Sequence, residues 1–238
     1  MARYHRRVSS ANRPRWPLGS PKRIAHAALL GVLQPVVPLA LFVGLGPVLF
    51  DREGALAPPG PLAFASVVLV AALALAVLVG GGLSWLGRVS PGALGLRRDR
   101  LGRGLLIGLG ALAVYLGSFA LILWATRPDA AQILRAVLSL SVGERALFLV
   151  VGLAIALFEE PVFRGYLQPA LIARLGWAGG VAVTALVFAA WHPPHFSVPG
   201  FLIRLSLGLV TGLTRGRDQP LTAAIVAHTL LWPVLGLS

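Results

Sequence analysis

Uninterrupted apolar runs, several of them long enough to cross a membrane, constrain this chain more than any other feature. The run from Leu62 to Leu86 consists mostly of Ala, Val and Leu and contains no charged residue. About 20 apolar residues in a helix cross the roughly 30 Å hydrocarbon layer of a bilayer. Only 12% of the residues are charged, too few to give a soluble protein of this size its polar surface. We therefore predict an all-α fold, a polytopic transmembrane helical bundle.

The chain divides by pattern into a basic N-terminal tail (1–23), N-terminal spans with their loops (24–145) and a C-terminal core (146–238). Between 127 and 145, Leu134, Val137 and Leu138 fall at helical spacing. This pattern fits an interfacial amphipathic helix and equally an ordinary loop with a short helix. About seven spans are expected, at 24–50, 62–86, 105–126, 146–175, 178–191, 201–214 and 220–237.

The formal net charge of +13 raises the possibility of a nucleic-acid-binding protein, because basic patches bind phosphate. The arginines and lysines cluster in the N-terminal tail and in the loop 87–104. Basic residues in alternate loops are typical of membrane topology, with the basic loops on the cytoplasmic side. We therefore expect a lipid bilayer as partner, no nucleic acid, and a cytoplasmic N-terminus. The absence of cysteine excludes disulfides and thiolate metal sites.

A charged cluster, Glu159, Glu160 and Arg164, interrupts the predicted fourth span. Each charge at the centre of a membrane helix costs about 2.5–3.5 kcal/mol on insertion scales. Glu160 and Arg164 are four residues apart with the acid first, the favourable order for an ion pair on one helix face. Glu159 points in another direction, and two carboxylates this close disfavour joint ionisation. These properties make Glu159 a candidate general base.

Three histidines fall in or beside the later spans. His192 ends one predicted span and His228 lies inside another, so both can reach the depth of Glu159. The two prolines after His192 predict that its helix ends there, and non-helical backbone at membrane depth is tolerated where it lines a cavity. His195 fits either this cavity or a polar loop. The convergence of two histidines and a glutamate predicts a functional site.

Three motifs in this order resemble the CPBP family of intramembrane proteases, the CAAX-protease and bacteriocin-processing family. EEPVFRGYL, starting at Glu159, fits E-E-x-x-x-R, and FAAWH, ending at His192, fits F-x-x-x-H. A third histidine motif opens at His228. The resemblance covers about residues 150–232 and implies an all-α membrane bundle that hydrolyses a peptide bond in a membrane-associated or small peptide substrate, in a prokaryotic cell membrane.

By this resemblance, Glu159 and His192 activate a water molecule, and His228 acts as a metal ligand or as a donor to the oxyanion. Glu159, His192 and His228 could together hold zinc or another divalent metal with one open position. The resemblance implies structural roles around these residues for Glu160, Arg164 and Phe188.

One position departs from the family pattern. The last motif is typically H-x-x-x-N, or has Asp in place of Asn, whereas Trp232 is the fourth residue after His228. Losing a donor at an oxyanion hole can cost about 2.7–4 kcal/mol in the barrier. A catalytically weak or inactive scaffold or peptide-immunity protein of the same fold is therefore an alternative. A proton-coupled transporter is a second one, although the chain lacks the internal repeats of transporters.

Overall fold

The computed structural model describes residues 14–49, 61–192, 197–215 and 220–235, and every regular element in these ranges is helical. The all-α bundle predicted from the sequence is thus confirmed, while His195 lies outside the described residues. Two π-helical segments, Gly82–Leu86 and Pro161–Leu167, and one 3₁₀ turn, Arg98–Arg100, join longer helices. The α-helices are α1 (Pro21–Leu49), α2 (Pro61–Gly81), α3 (Pro91–Leu94), α4 (Leu101–Thr126), α5 (Ala130–Leu138), α6 (Val142–Glu160), α7 (Gln168–Ala190), α8 (Val198–Thr214) and α9 (Thr222–Leu235).

The surface of the bundle is that of a membrane protein. Within the described residues, three helical stretches are long and apolar enough to cross a bilayer: Val68–Leu86, Pro91–Thr126 and Val142–Ala190. Two shorter apolar helices are Val198–Thr214 and Thr222–Val234. Large apolar side chains face outward along α4, where Leu121 is 71% exposed and Trp124 76%. The number of seven crossings stays a prediction.

Helix α9 packs along both α6 and α4, and α8 packs against α4 and α7. Glycines allow these close approaches, as is usual between membrane helices. A Cβ on Gly108 of α4 would lie 2.7 Å from the Cβ of Val226 on α9, and one on Gly208 of α8 would lie 3.0 Å from the Cα of Ala185 on α7. The helices that carry the candidate site therefore pack with their backbones close together.

Helix α6 begins at Val142, four residues before the predicted start at 146. The cause is a capping box: Ser141 Oγ accepts from the Glu144 N–H at 3.2 Å, and Glu144 Oε2 accepts from the Ser141 N–H at 2.7 Å. Its sequence signature, Ser followed three residues later by Glu, is present in the chain. The box fixes the start of the helix whose other end carries Glu159 and Glu160.

The predicted fourth span does continue past Pro161, but as a π-helix over Pro161–Leu167. Proline has no N–H and its ring crowds the carbonyl four residues back, so a wider turn relieves the strain. The helix then returns to α geometry and is interrupted again at Gly176, where φ is +73°. This left-handed conformation favours glycine, and it lies where the sequence predicts a break. Helix α7 ends at Ala190, as the prolines after His192 predict.

The end of the predicted N-terminal tail packs against the helical bundle. Helix α1 starts at Pro21, and Arg23 is buried, with its Nε donating to the Tyr166 carbonyl at 3.3 Å. The Arg23 guanidinium also lies 4.2 Å from the centre of the Tyr166 ring. His26 contacts the Tyr166 hydroxyl at 3.3 Å. The start of α1 therefore braces the π-helical segment beside the glutamates.

Between α4 and α6, the short helix α5 occupies Ala130–Leu138. Val137 is buried, whereas Leu134 and Leu138 are exposed. Arg145 ties α5 to the end of α9, because it donates to the Val137 carbonyl at 3.0 Å and to the Pro233 carbonyl at 2.7 Å. Both sequence interpretations of this region include such a helix, and its position relative to a membrane surface stays a prediction.

Candidate active site

Three helices bring the predicted site residues together. Glu159 Oε1 lies 3.5 Å from His192 Nε2, just beyond the end of α7, and Glu159 Oε2 lies 3.8 Å from His228 Nε2 on α9. His228 Nδ1 is 2.7 Å from Glu160 Oε1. Glu159, Glu160 and His228 are buried and His192 is half-buried. His228 therefore lies between the two glutamates, which the sequence did not predict.

The hydrogen bonds fix which nitrogen of each imidazole faces Glu159. His192 Nδ1 lies 2.6 Å from the Phe188 carbonyl, and because a carbonyl only accepts, Nδ1 carries the proton. His228 Nδ1 donates in the same way to the carboxylate of Glu160. In neutral rings the two Nε2 atoms are then acceptors, and both face the Glu159 carboxylate. Three hydrogen-bond acceptors around one point favour a bound molecule that donates hydrogen bonds, such as water.

Arg164 balances the charge of the two glutamates. Its Nη1 is 3.3 Å from Glu160 Oε1, so the ion pair predicted from the spacing is present, and both side chains are completely buried. Its Nη2 donates to the Gly208 carbonyl at 3.4 Å. The guanidinium also lies 4.1 Å from the centre of the Phe188 ring, in cation–π geometry. Arg164 therefore joins the end of α6 to α7 and α8.

Phe188 is the aromatic side chain at the centre of the site. Its ring centroid is 4.7 Å from that of His192 and 6.2 Å from that of His228, in edge-to-face arrangements. Phe163, from the π-helical segment, packs on it at 5.2 Å. Such packing restricts the rotation of both imidazoles.

Trp232 follows His228 by one helical turn and packs against α6. A Cβ on Gly152 would lie 2.5 Å from Trp232 Cδ1, so the indole occupies the space that this glycine leaves open. The indole Nε1 is buried and makes no hydrogen bond within the described part of the chain. Trp232 thus sets the separation of α6 and α9 beside the glutamates, a packing role that an Asn at this position would not fill.

Gly152→Ala is expected to destabilise the protein by about 1–3 kcal/mol, because the added methyl overpacks α6 against α9. The contact includes the Thr229 backbone carbonyl at 2.8 Å as well as the indole. Thermal unfolding in detergent measures the effect. Gly117→Ala is the matched control, since its Cβ meets nothing within 4 Å. Equal melting temperatures for the two variants would contradict the packing role of Gly152.

A further charged residue, Arg204, lies half-buried on α8, the helix whose Gly208 carbonyl accepts from Arg164. The signal that marks Glu159 in the sequence, a charge inside an apolar run, marks Arg204 as well. Its Nη1 donates to the Gly200 carbonyl of its own helix at 3.1 Å.

The acceptor atoms of Glu159, His192 and His228 suit a divalent metal chemically, and both imidazoles donate their second nitrogen to an oxygen, as metal-bound histidines usually do. In the ranges that the structure describes, no group of three His, Asp or Glu side chains forms a ready metal site. A bound metal stays a prediction, and the chemistry proposed below has no metal-dependent step.

Comparison with known proteins identifies the C-terminal part of the chain. Residues 141–231 match the family model described as Type II CAAX prenyl endopeptidase Rce1-like. Over this segment, the chain is similar to the CPBP family. The match confirms the family predicted from the three motifs, and it identifies an enzyme family of membrane proteases. The matched CPBP segment begins at the cap of α6 and contains Glu159, His192 and His228. No curated protein and no solved structure matches the chain.

Proposed function

We propose that this CPBP-family protein is an intramembrane endopeptidase that hydrolyses a peptide bond in a membrane-associated or small peptide substrate. One observation carries the proposal: the buried Glu159 carboxylate faces the Nε2 atoms of His192 and His228 at 3.5 and 3.8 Å. A water molecule there can donate to the carboxylate and to an imidazole at the same time. This is the arrangement that a glutamate general base requires.

The proposed reaction begins when Glu159 takes a proton from this water while His192 Nε2 orients it. The water oxygen forms a bond to the carbonyl carbon of the scissile peptide, and the carbonyl oxygen becomes an oxyanion. Glu159 then gives its proton to the amide nitrogen, and the C–N bond breaks. The new carboxylic acid passes its remaining proton to the released amine, so the products are a carboxylate and an ammonium group, and all atoms and protons balance.

His228 is proposed to stabilise the oxyanion. In the protonated ring Nε2–H is a donor, while Nδ1–H keeps its hydrogen bond to the Glu160 carboxylate. Arg164 holds Glu160 in place, and Phe188 restricts both rings. Trp232 then maintains the helix spacing without touching the reacting atoms. The departure at this position is therefore compatible with activity.

We also propose where this reaction takes place and on which class of substrate. Integral membrane placement follows from the apolar helices, and the basic tail and loop 87–104 favour a cytoplasmic N-terminus by the positive-inside rule. We propose a prokaryotic cell membrane, a peptide or membrane-protein substrate, and no role for nucleic acid. The prenylated C-terminal motif in the printed family name is not assumed for this chain.

The test compares peptide N- and C-termini in the membrane fractions of cells that express wild type, Glu159→Gln or His192→Ala at matched levels. The expected result is a set of termini that is present with wild type and lost with both variants. Those termini would also identify the substrate. Asp99→Asn, an exposed acid in a loop, is the control that should behave as wild type.

Identical termini in all strains would contradict the peptidase proposal under those conditions. They would favour the non-catalytic scaffold that the sequence leaves open. Loss of termini with Asp99→Asn as well would point to expression or folding. Flux of protons or solutes through proteoliposomes that is lost with Glu159→Gln would instead support the transporter alternative.

A further inference from the structure

An apolar cavity of about 290 Å³ lies between α1 and the helices that carry the candidate site. Its lining comes from α1, the π-helical segment and α7, and among the described residues every lining residue is apolar or aromatic. Two residues from each of these segments are Ala28, Gly31, Phe163, Leu167, Val187 and Trp191. A cavity of roughly 150 Å³ already binds benzene. The cavity beside α1 therefore has room for one large apolar group.

The cavity and the candidate active site share an aromatic wall. Phe163 lines the cavity and packs edge-to-face on Phe188, with 5.2 Å between the ring centroids. Phe188 in turn lies 4.7 Å from the His192 ring. Phe163 also follows Glu159 by four residues in one continuous helical stretch. A group bound in the cavity is thus separated from His192 by these two rings.

Trp191 lines the cavity directly beside His192. Its indole Nε1 donates to the Gly31 carbonyl of α1, which fixes the orientation of the ring. A Cβ on Gly31 would lie 3.3 Å from the indole, so the glycine allows this close approach. The next residue, His192, has its Nε2 3.5 Å from Glu159 Oε1. One end of the cavity is therefore preformed at the level of the candidate general base, as is usual for ligand sites.

The wall formed by α1 gives the cavity access to the membrane. Ala28 lines the cavity and is exposed, so the cavity reaches the surface beside α1. On the same surface Leu29 is 61% exposed and Val32 42%, as expected for a helix that faces lipid. Helix α1 also lies outside the matched residues 141–231. The shape of the cavity therefore depends on a part of the chain that the family match does not cover.

We propose that this cavity is a specificity pocket that binds one large apolar side chain of the peptide substrate, close to the scissile bond. Its continuity with the site through Phe163 and Trp191 favours a substrate side chain as the occupant. An apolar lining with no charged group selects leucine- or phenylalanine-like side chains by size and shape. This inference rests on the proposed peptidase function and deepens it, because it names the substrate class.

Three synthetic probes test the pocket by equilibrium binding to the purified full-length protein in lipid nanodiscs, with binding to empty nanodiscs subtracted. They are acetyl-Ala-Ala-Xaa-Ala-Ala amides in which Xaa is Ala, Leu or Phe. We expect the Leu and Phe probes to bind wild type about tenfold or more tightly than the Ala probe, since even one methylene in an apolar pocket changes selectivity by about that factor. Equal binding of all three probes would overturn the pocket.

Two variants locate the preference. Ala28→Leu narrows the cavity and is expected to abolish the preference for Leu and Phe while binding of the Ala probe stays the same. Val187→Ala widens the cavity and should shift the preference from Leu toward Phe, a change that a general loss of folding does not produce. Ala25→Leu, the same substitution at an exposed position of α1 outside the cavity lining, is the control that should keep the wild-type preference.

A preference that is unchanged in both Ala28→Leu and Val187→Ala would overturn the pocket, and so would a preference that Ala25→Leu also removes. A phospholipid with a photoreactive group in its acyl chain tests the other occupant. If it labels Val187 or Trp191 and the Leu probe does not displace it, the cavity belongs to lipid and the proposal is wrong. Because binding is measured without cleavage, failure of the peptidase proposal is seen separately, in the comparison of membrane termini.

Discussion

Replacing Glu159 by Gln is expected to lower the turnover number of the purified protein by about 10²–10⁴-fold, the usual contribution of a positioned general base. Gln has nearly the same shape and can still accept and donate hydrogen bonds, but it cannot take a proton from water. The variant should stay folded, because removing a buried charge relieves desolvation rather than adding to it. The measurement is single-turnover cleavage of a substrate identified from the membrane termini.

Two further variants are compared with Glu159→Gln, one inside the site and one outside it. His192→Ala should also lower the turnover number, since the imidazole orients the water, while binding of uncleaved substrate should change little. Asp99→Asn should be indistinguishable from wild type, because that side chain is exposed in a loop. If Glu159→Gln retained wild-type turnover with an unchanged melting temperature, another group would be the base, and the assignment of Glu159 would be wrong.

The second large effect concerns stability. Arg164→Met is expected to destabilise the protein by about 3–5 kcal/mol, the usual cost of breaking a buried ion pair from one side. The variant leaves Glu160 charged and buried without its cation, and it removes the donor to the Gly208 carbonyl. It also removes the cation–π contact with Phe188. Thermal or denaturant unfolding in detergent measures the loss.

A double variant separates the ion pair from simple packing. If the buried charges matter as a pair, Glu160→Gln combined with Arg164→Met should lose less stability than the sum of the single variants. Arg135→Met, on the exposed face of α5, should change stability little. Additive losses for Glu160 and Arg164 would show that they act independently, contrary to the 3.3 Å contact between them.

Most of the local architecture could be predicted because membrane physics restricts what an apolar sequence can do. Apolar runs without charges must become helices in lipid, since no water is present to satisfy the backbone. The break at Gly176 and the end of α7 before His192 follow from the conformational limits of glycine and proline. The i,i+4 spacing of Glu160 and Arg164 likewise predicts their ion pair. These are local properties, fixed over a few residues.

Other features needed contacts between distant parts of the chain. The position of His228 between Glu159 and Glu160 and the burial of Arg23 against Tyr166 depend on which helices pack together. Helix α6 begins four residues before the start that its apolar run predicts, because the capping box at Ser141, which is present in the sequence, sets the start.

A helical membrane protein with a Glu-Glu-Arg cluster and two histidines at comparable depth is thus predictable from the order of residues alone. Which atoms of those residues face one another depends on tertiary packing, because helix register and rotation are set by the packing of small residues across interfaces. The same packing brings His228 of α9 between the two glutamates. A one-residue shift of α9 would turn its side chain by about 100°, and no local pattern in the sequence records that choice.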